Sequence, residues 1–255
     1  MEYVLAFVFG AVIGSFLNVC ICRLPAGESI VSPPSHCPAC GTPVRRRDNI
    51  PILSFVLLRG RCRTCQCAIS LRYPVVEALT GLLFVLLLVR IETVPRLAVA
   101  ATFVAALIMI SFIDLDHQII PDVISLPGIV IGLLLSALGY GPALVDSTVG
   151  VLVGGGLLYA VAVGYHALTG REGMGGGDIK LLAMIGAFLG WKNVLVTLVL
   201  GSLGGALVGV GLILVRGDDS KVPIPFGPFL AAGALCALFF GDPLVHWYLD
   251  LAIPS

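Results

Sequence analysis

VLVTLVLGSLGGALVGVGLILV, residues 194–215, runs for 22 residues without an acidic or basic side chain. An α-helix rises about 1.5 Å per residue, so a run of this length crosses the roughly 30 Å hydrocarbon core of a bilayer. Gly201, Gly205 and Gly209 recur at every fourth residue, on one face of that helix. Such a face lets a neighbouring helix backbone approach closely in lipid. Working outward, the pattern repeats. Further apolar runs lie at 3–22, 75–90, 96–113, 123–140, 147–168, 179–190 and 228–248, and Gly10 with Gly14 and Gly150 with Gly154 repeat the spacing. The fold expected is all-α: a polytopic membrane helix bundle of about eight spans, with the short run 179–190 the least regular of them.

Composition agrees. Of 255 residues, 58% are hydrophobic and 12% charged, where a soluble domain carries about 25% charged. The formal net charge of zero hides segregation: eight arginines fall between residues 23 and 75, against Glu28 and Asp48. Under the positive-inside rule that block faces the cytoplasm. Its arginines read as a solvated topology signal, and no nucleic acid is expected as partner. The first run has Glu2 before it and arginines after it, the reverse of a secretory signal, so its N-terminus is expected outside. With eight spans the inside segments are 23–75, 114–122, 169–178 and 216–227. Three divisions follow: a first span at 1–22, a cytoplasmic module at 23–75 and a membrane domain at 76–255.

Within the polar module, Cys37 and Cys40 form one C-x2-C knuckle, and Cys62 and Cys65 a second, with 21 residues between them. Each knuckle offers two thiolates from one turn, and two knuckles complete a tetrahedron. On the reducing side of the membrane, disulfides are disfavoured. A structural Zn2+ is therefore expected on Cys37, Cys40, Cys62 and Cys65, with Cys67 a rival ligand. Four thiolates leave no open position for water, so such a metal builds structure and does not hydrolyse.

The remaining chemistry lies in two aspartates where apolar runs meet short polar turns: Asp114 in FIDLDHQIIPD and Asp178 in GMGGGDIKLL. A carboxylate near lipid is costly to keep, so each is a functional candidate. Two carboxylates on different segments can meet and share a proton, the minimum equipment of an aspartyl protease. Asp178 reads as the N-cap of its helix and as the base, with Asp114 its protonated partner. Asp116 competes with Asp114, but two residues on it leans away. Asp122 reads as a plain N-cap. Gly175, Gly176 and Gly177 permit unusual dihedrals and close approach, and their N–H groups are candidate oxyanion donors.

Several motifs together are similar to one family. They are GSFLNVCICRLP at 14–25, the two knuckles, NIPILSFVLLRGRCRTC at 49–65, LRYPVVEALTG at 71–81, IDLDHQIIPD at 113–122 and GGGDIKLLAMIGAFLGW at 175–191. In order and spacing the chain resembles the type IV prepilin peptidases, bifunctional prepilin leader peptidase/N-methyltransferases of the GxGD aspartyl protease group. The resemblance implies that Asp114 and Asp178 are the catalytic pair, with Gly175 and Gly177 the motif glycines. It implies cleavage of prepilins and type II secretion pseudopilins after a short basic leader, in the bacterial inner membrane. It further implies methylation of the new N-terminus by S-adenosylmethionine, whose binding residues the sequence does not place. Asp116, Asp122, Glu172, Asp218 and Asp219 are the acids available to a basic leader. The rival reading is a proton-coupled transporter, disfavoured because both acids sit at helix ends on one side and no inverted repeat is visible.

Overall fold

The computed structural model describes residues 1–171, 173–216 and 224–252. Among them are eight α-helices and no strand, only two isolated bridges: α1 (Glu2–Arg23), α2 (Leu53–Leu57), α3 (Arg72–Arg90), α4 (Val94–His117), α5 (Asp122–Ala137), α6 (Leu144–Thr169), α7 (Gly176–Arg216) and α8 (Gly227–Ala252). Five of these, α1, α3, α4, α6 and α7, are long and apolar enough to cross a membrane, and two shorter apolar segments lie in α5 and α8. The expected eight spans are thus not reproduced by length and composition. The count of five takes α7 as one length, yet at Gly190 (φ 78, ψ 168) its backbone leaves helical geometry and two helices meet at a kink. The run 179–190 lies before that kink and the run 194–215 after it.

The chain forms two compact units, Met1–Met109 and Ile110–Ser255, with the boundary inside α4. In the first, α1 packs along α3. A Cβ at Gly10 would lie 2.8 Å from Gly81 Cα, and one at Gly14 2.7 Å from Glu77 Cα. Only glycine permits that approach, and with little hydrophobic drive between helices in lipid, close van der Waals packing supplies the association. Ile21, Val76 and Leu87 are fully buried.

In the second unit α7 is the central element, packing with α5, α6 and α8. Gly150 of α6 meets Gly186 of α7 backbone to backbone: a Cβ at Gly150 would lie 2.5 Å from the Gly186 carbonyl oxygen. Leu181, Leu182, Met184 and Ile185, just beyond Asp178, are fully buried. Outward side chains such as Leu207 and Leu214 are exposed and apolar, as lipid-facing positions must be, while the helical backbone satisfies its own hydrogen bonds.

Candidate active site and metal centre

The carboxylate site is assembled within the second unit from three chain segments. The first is the end of α4. Its last turn carries Asp114, only 5% exposed. The helix stops because Gln118 turns left-handed (φ 55) while its N–H bonds to the Asp114 carbonyl, a helix-ending conformation more often given to glycine. Ile119, Ile120 and Pro121 then lead directly into α5. The second segment is Gly175–Lys180. Asp178 is half-buried in the first turn of α7, its N–H facing the Gly175 carbonyl at 3.3 Å. It is therefore inside the helix, which begins at Gly176, and not at its cap as expected. The third segment is the start of α8, where the Gly227 N–H donates to Asp114 Oδ2 at 2.9 Å.

Asp114 and Asp178 line one cleft of about 430 Å3, together with Gln118, Ile119, Ile120, Asp122, Gly175, Gly176, Gly177 and Lys180. The expected pair is thus brought together. Asp116 is exposed and does not line this cleft. Asp122 is not an N-cap: Pro121 holds that position, and both Asp122 oxygens accept from Lys180 Nζ, at 2.7 and 2.8 Å. This ion pair ties the first turn of α5 to the first turn of α7. Glu172, Asp218 and Asp219 lie outside the described residues.

None of the three loop glycines takes a left-handed conformation, so the expectation of unusual dihedrals is not met there. What Gly177 provides is close approach: a Cβ on it would sit 2.8 Å from Ile120 Cβ. Gly176 has open space where a side chain would stand. Sequence reasoning missed Ile120 and Gly227. The signal for Gly227 was the glycine in PFGP, 225–228, between two turn-forming prolines at the start of an apolar run. Nothing in the sequence singled out Ile120.

The donor to the carboxylates goes to Asp114, not Asp178. A carboxyl oxygen that accepts an N–H is kept as an acceptor. The Gly227 N–H thus marks Asp114 Oδ2 as an acceptor.

The cysteine centre lies in the first unit. Both knuckles fold alike. Cys37 N–H bonds to the Thr42 carbonyl and Gly41 N–H to the Cys37 carbonyl; Cys62 N–H bonds to the Cys67 carbonyl and Gln66 N–H to the Cys62 carbonyl. Gly41 (φ 68) and Gln66 (φ 59) take the same left-handed turn. The Sγ atoms of Cys37, Cys40, Cys62 and Cys65 all lie within 4.8 Å of one another. Four sulfurs about 2.3 Å from a central Zn2+ stand roughly 3.8 Å apart, and Cys37 and Cys65 are 3.8 Å apart. The set fits a metal ion such as zinc. Backbone N–H groups of Cys40 and Cys65 hold the Cys37 and Cys62 thiols below their ordinary range, and the Thr42 hydroxyl does so for Cys40. These three are disposed toward the thiolate a metal requires, whereas the fourth, Cys65, is pushed up, the Cys67 N–H being outweighed by its neighbouring thiols. Cys67 stands where Thr42 stands in the other knuckle, 3.5 Å from Cys37.

Two further contacts hold this module. Ile52, a β-branched residue at φ 61, donates its N–H to the buried carboxylate of Glu77 on α3 at 2.7 Å. Arg63, inside the second knuckle, makes a two-pronged bond to Asp48, at 2.9 and 2.7 Å.

Comparison with known proteins bears on both regions. Residues 8–91 match the bacterial peptidase A24 N-terminal domain, and residues 101–210 the type IV leader peptidase family. A prepilin leader peptidase/N-methyltransferase from Aeromonas hydrophila is 42% identical, covering 98% of this chain and 94% of its own. The chain belongs to the type IV leader peptidase family. Relatives of the same description from Pseudomonas aeruginosa and Burkholderia pseudomallei are 38% and 35% identical over 95% of this chain, covering 92% and 87% of their own. No solved structure matches. The transporter reading has no support among these relatives. The cysteine centre lies within the first matched segment of this leader peptidase, and Asp114 and Asp178 within the second.

Proposed function

We propose that this chain is an intramembrane aspartyl peptidase that removes the basic leader from type IV prepilins and type II secretion pseudopilins, then methylates the new N-terminal residue. The observation that carries the reading is the shared cleft of Asp114 and Asp178, at the end of one apolar helix and the start of another. Asp114, held as an acceptor by Gly227, takes a proton from the attacking water. Asp178 protonates the carbonyl oxygen as the water adds, with backbone N–H groups of Gly175–Gly177 as donors to that oxygen; Asp114 then passes its proton to the departing amine nitrogen as the C–N bond breaks, and the diol returns a proton to Asp178.

The substrate helix enters from the lipid and the leader stays in water. The arginine-rich module and the two aspartates then face the cytoplasm of a bacterial inner membrane. Asp122, exposed at the cleft, is the described acid best placed to meet a basic leader.

Cys37, Cys40, Cys62 and Cys65 hold a structural Zn2+ in this reading. A metal there cross-links a segment whose only helix outside the spans has 5 residues, a stretch too short to be stable alone. S-adenosylmethionine is the methyl donor. A cleavage and methylation assay tests both activities: purified prepilin is incubated with wild type, Asp114→Asn and Asp178→Asn, with and without S-adenosylmethionine, and the products are weighed by mass spectrometry. Intact prepilin with wild type rejects the peptidase. Cleaved pilin that gains no methyl mass rejects the second activity.

A further inference from the structure

Gly227 lies 113 residues from Asp114 in sequence, yet its N–H is in a buried hydrogen bond with the Asp114 carboxylate. It is the first residue of α8. The first N–H groups of a helix have no partner within the helix and are free to serve another group. Here one of them serves a carboxylate of the cleft. The space around it is also closed: a Cβ at Gly227 would lie 2.6 Å from Asp114 Oδ2, 3.2 Å from Asp114 Cγ and 3.3 Å from Ile120 Cδ1. Real Cβ atoms do not approach an oxygen to 2.6 Å, so any side chain must move the carboxylate. Ile120 also lies close to Gly177, where a Cβ would meet Ile120 Cβ at 2.8 Å. The turn after α4 thus packs near two glycines, one beside Asp178 and one at α8.

We propose that Gly227 is a positioning residue of the peptidase: its main-chain N–H fixes the Asp114 carboxylate, and its missing side chain leaves that carboxylate its place. The inference rests on the reading of Asp114 as catalytic. Hydrogen-bonding alone could be met by any residue at this position, since every non-proline residue has the N–H. The steric distance is what selects glycine. Displacing a reacting group by about 1 Å costs on the order of 100-fold in rate.

The test is Gly227→Ala in the full-length protein in detergent or lipid, assayed on purified prepilin and on a pilin peptide supplied already cleaved. We expect kcat for cleavage to fall about 100-fold with KM within about threefold, since the loss lies in the reacting geometry and not in substrate binding. Methyl transfer to the cleaved peptide should stay within twofold of wild type. Gly233→Ala is the packing control. Its Cβ would press on the Thr197 carbonyl oxygen at 2.5 Å, in the same α7–α8 contact but away from Asp114, and it should keep kcat. Combining Gly227→Ala with Ile120→Val removes the Ile120 Cδ1 contact and should not restore cleavage. Recovery in that double variant, a normal kcat in Gly227→Ala, a change confined to KM, or joint loss of both activities each overturns the proposal. If Asp114→Asn itself cleaves normally, the catalytic reading fails first; if Asp114→Asn is inactive and Gly227→Ala is not, only the role of Gly227 falls.

Discussion

The cysteine module and the carboxylate cleft are built by opposite means. In the module the reacting atoms are close in sequence: each knuckle spans four residues, and two left-handed turns at Gly41 and Gln66 aim the thiols inward. In the cleft they are far apart: Asp114, Asp178 and Gly227 come from three helices and meet only because glycines let those segments touch. A local site can be held by a metal and a few turns in a segment with little apolar core. A distributed site needs the rigid packing of long helices, and it fails when one contact shifts. The two sites should therefore respond to different insults.

The largest effect is expected at the cleft. Asp114→Asn or Asp178→Asn should reduce cleavage by at least about 1,000-fold, because neither proton transfer survives with one carboxyl. The metal content should not change, and a pilin peptide supplied already cleaved should still gain its methyl group. Asp116→Asn, outside the cleft, should retain activity. Parallel rate measurements on the two substrates check this. Loss of methyl transfer in Asp178→Asn would merge the two sites into one and end the comparison.

Second comes the metal. The purified protein should carry about one Zn2+ per chain, as four thiolates close one tetrahedral shell. Cys62→Ser should lose most of it, whereas Cys67→Ser should keep it, since Cys67 occupies the place of Thr42 in the companion knuckle and lies outside the four-sulfur set. Metal analysis of the three proteins decides between four ligands and a shared fifth. Zn2+ lost in Cys67→Ser would make Cys67 a ligand.

This contrast also explains what could be read from the sequence. The C-x2-C pairs and the lone membrane carboxylates are local patterns, and the structure gathers the four sulfurs at one point and sets Asp114 and Asp178 in one cleft. The glycine repeats pointed correctly to close packing, as Gly150 against Gly186 shows. Partners across long separations were not legible. Nothing in the sequence said that Gly227 would meet Asp114, that Lys180 would pair with Asp122, or that Glu77 would hold Ile52. Helix starts were misjudged by a residue or two, enough to turn Asp178 and Asp122 from caps into first-turn residues. The span count depended on reading a break near residue 190. The backbone does leave helical geometry there, at Gly190, where two helices meet at a kink.

Third is Glu77. Glu77→Ala leaves the part-buried Ile52 N–H without its acceptor, at a cost of about 1–2 kcal/mol, the lower part of the range for a buried donor. The turn at Ile52, already at positive φ, should open. Protease nicking between residues 46 and 60 should speed up roughly 5- to 30-fold, while cleavage of prepilin on the other unit changes little. Glu77→Gln keeps a carbonyl oxygen and should stay near wild type. Equal nicking of the two variants would show that the charge, not the acceptor, is what matters.

The smallest effect is expected from the ion pair of exposed Arg63 with Asp48, whose side chain is largely covered. The Arg63 guanidinium holds the Asp48 carboxyl below its ordinary range, first by hydrogen bonding and then by charge. A carboxyl lowered on folding contributes stability above its unfolded value, about pH 4, and loses it as the pH falls through the lower folded value. At pH 7 the contribution is fully present. Solvent and salt weaken such a surface pair. Asp48→Asn should therefore speed amide hydrogen exchange at Cys62–Gln66 by less than about fivefold at pH 7 in low salt. The difference from wild type should shrink in 1 M salt and again as the pH falls from about 4 through the lower folded value, where the wild-type carboxyl itself becomes neutral. A difference that persists in high salt and acid would mean that Asp48 acts through its shape in the turn at Arg46–Asp48, and that the second knuckle is held by packing as the cleft is.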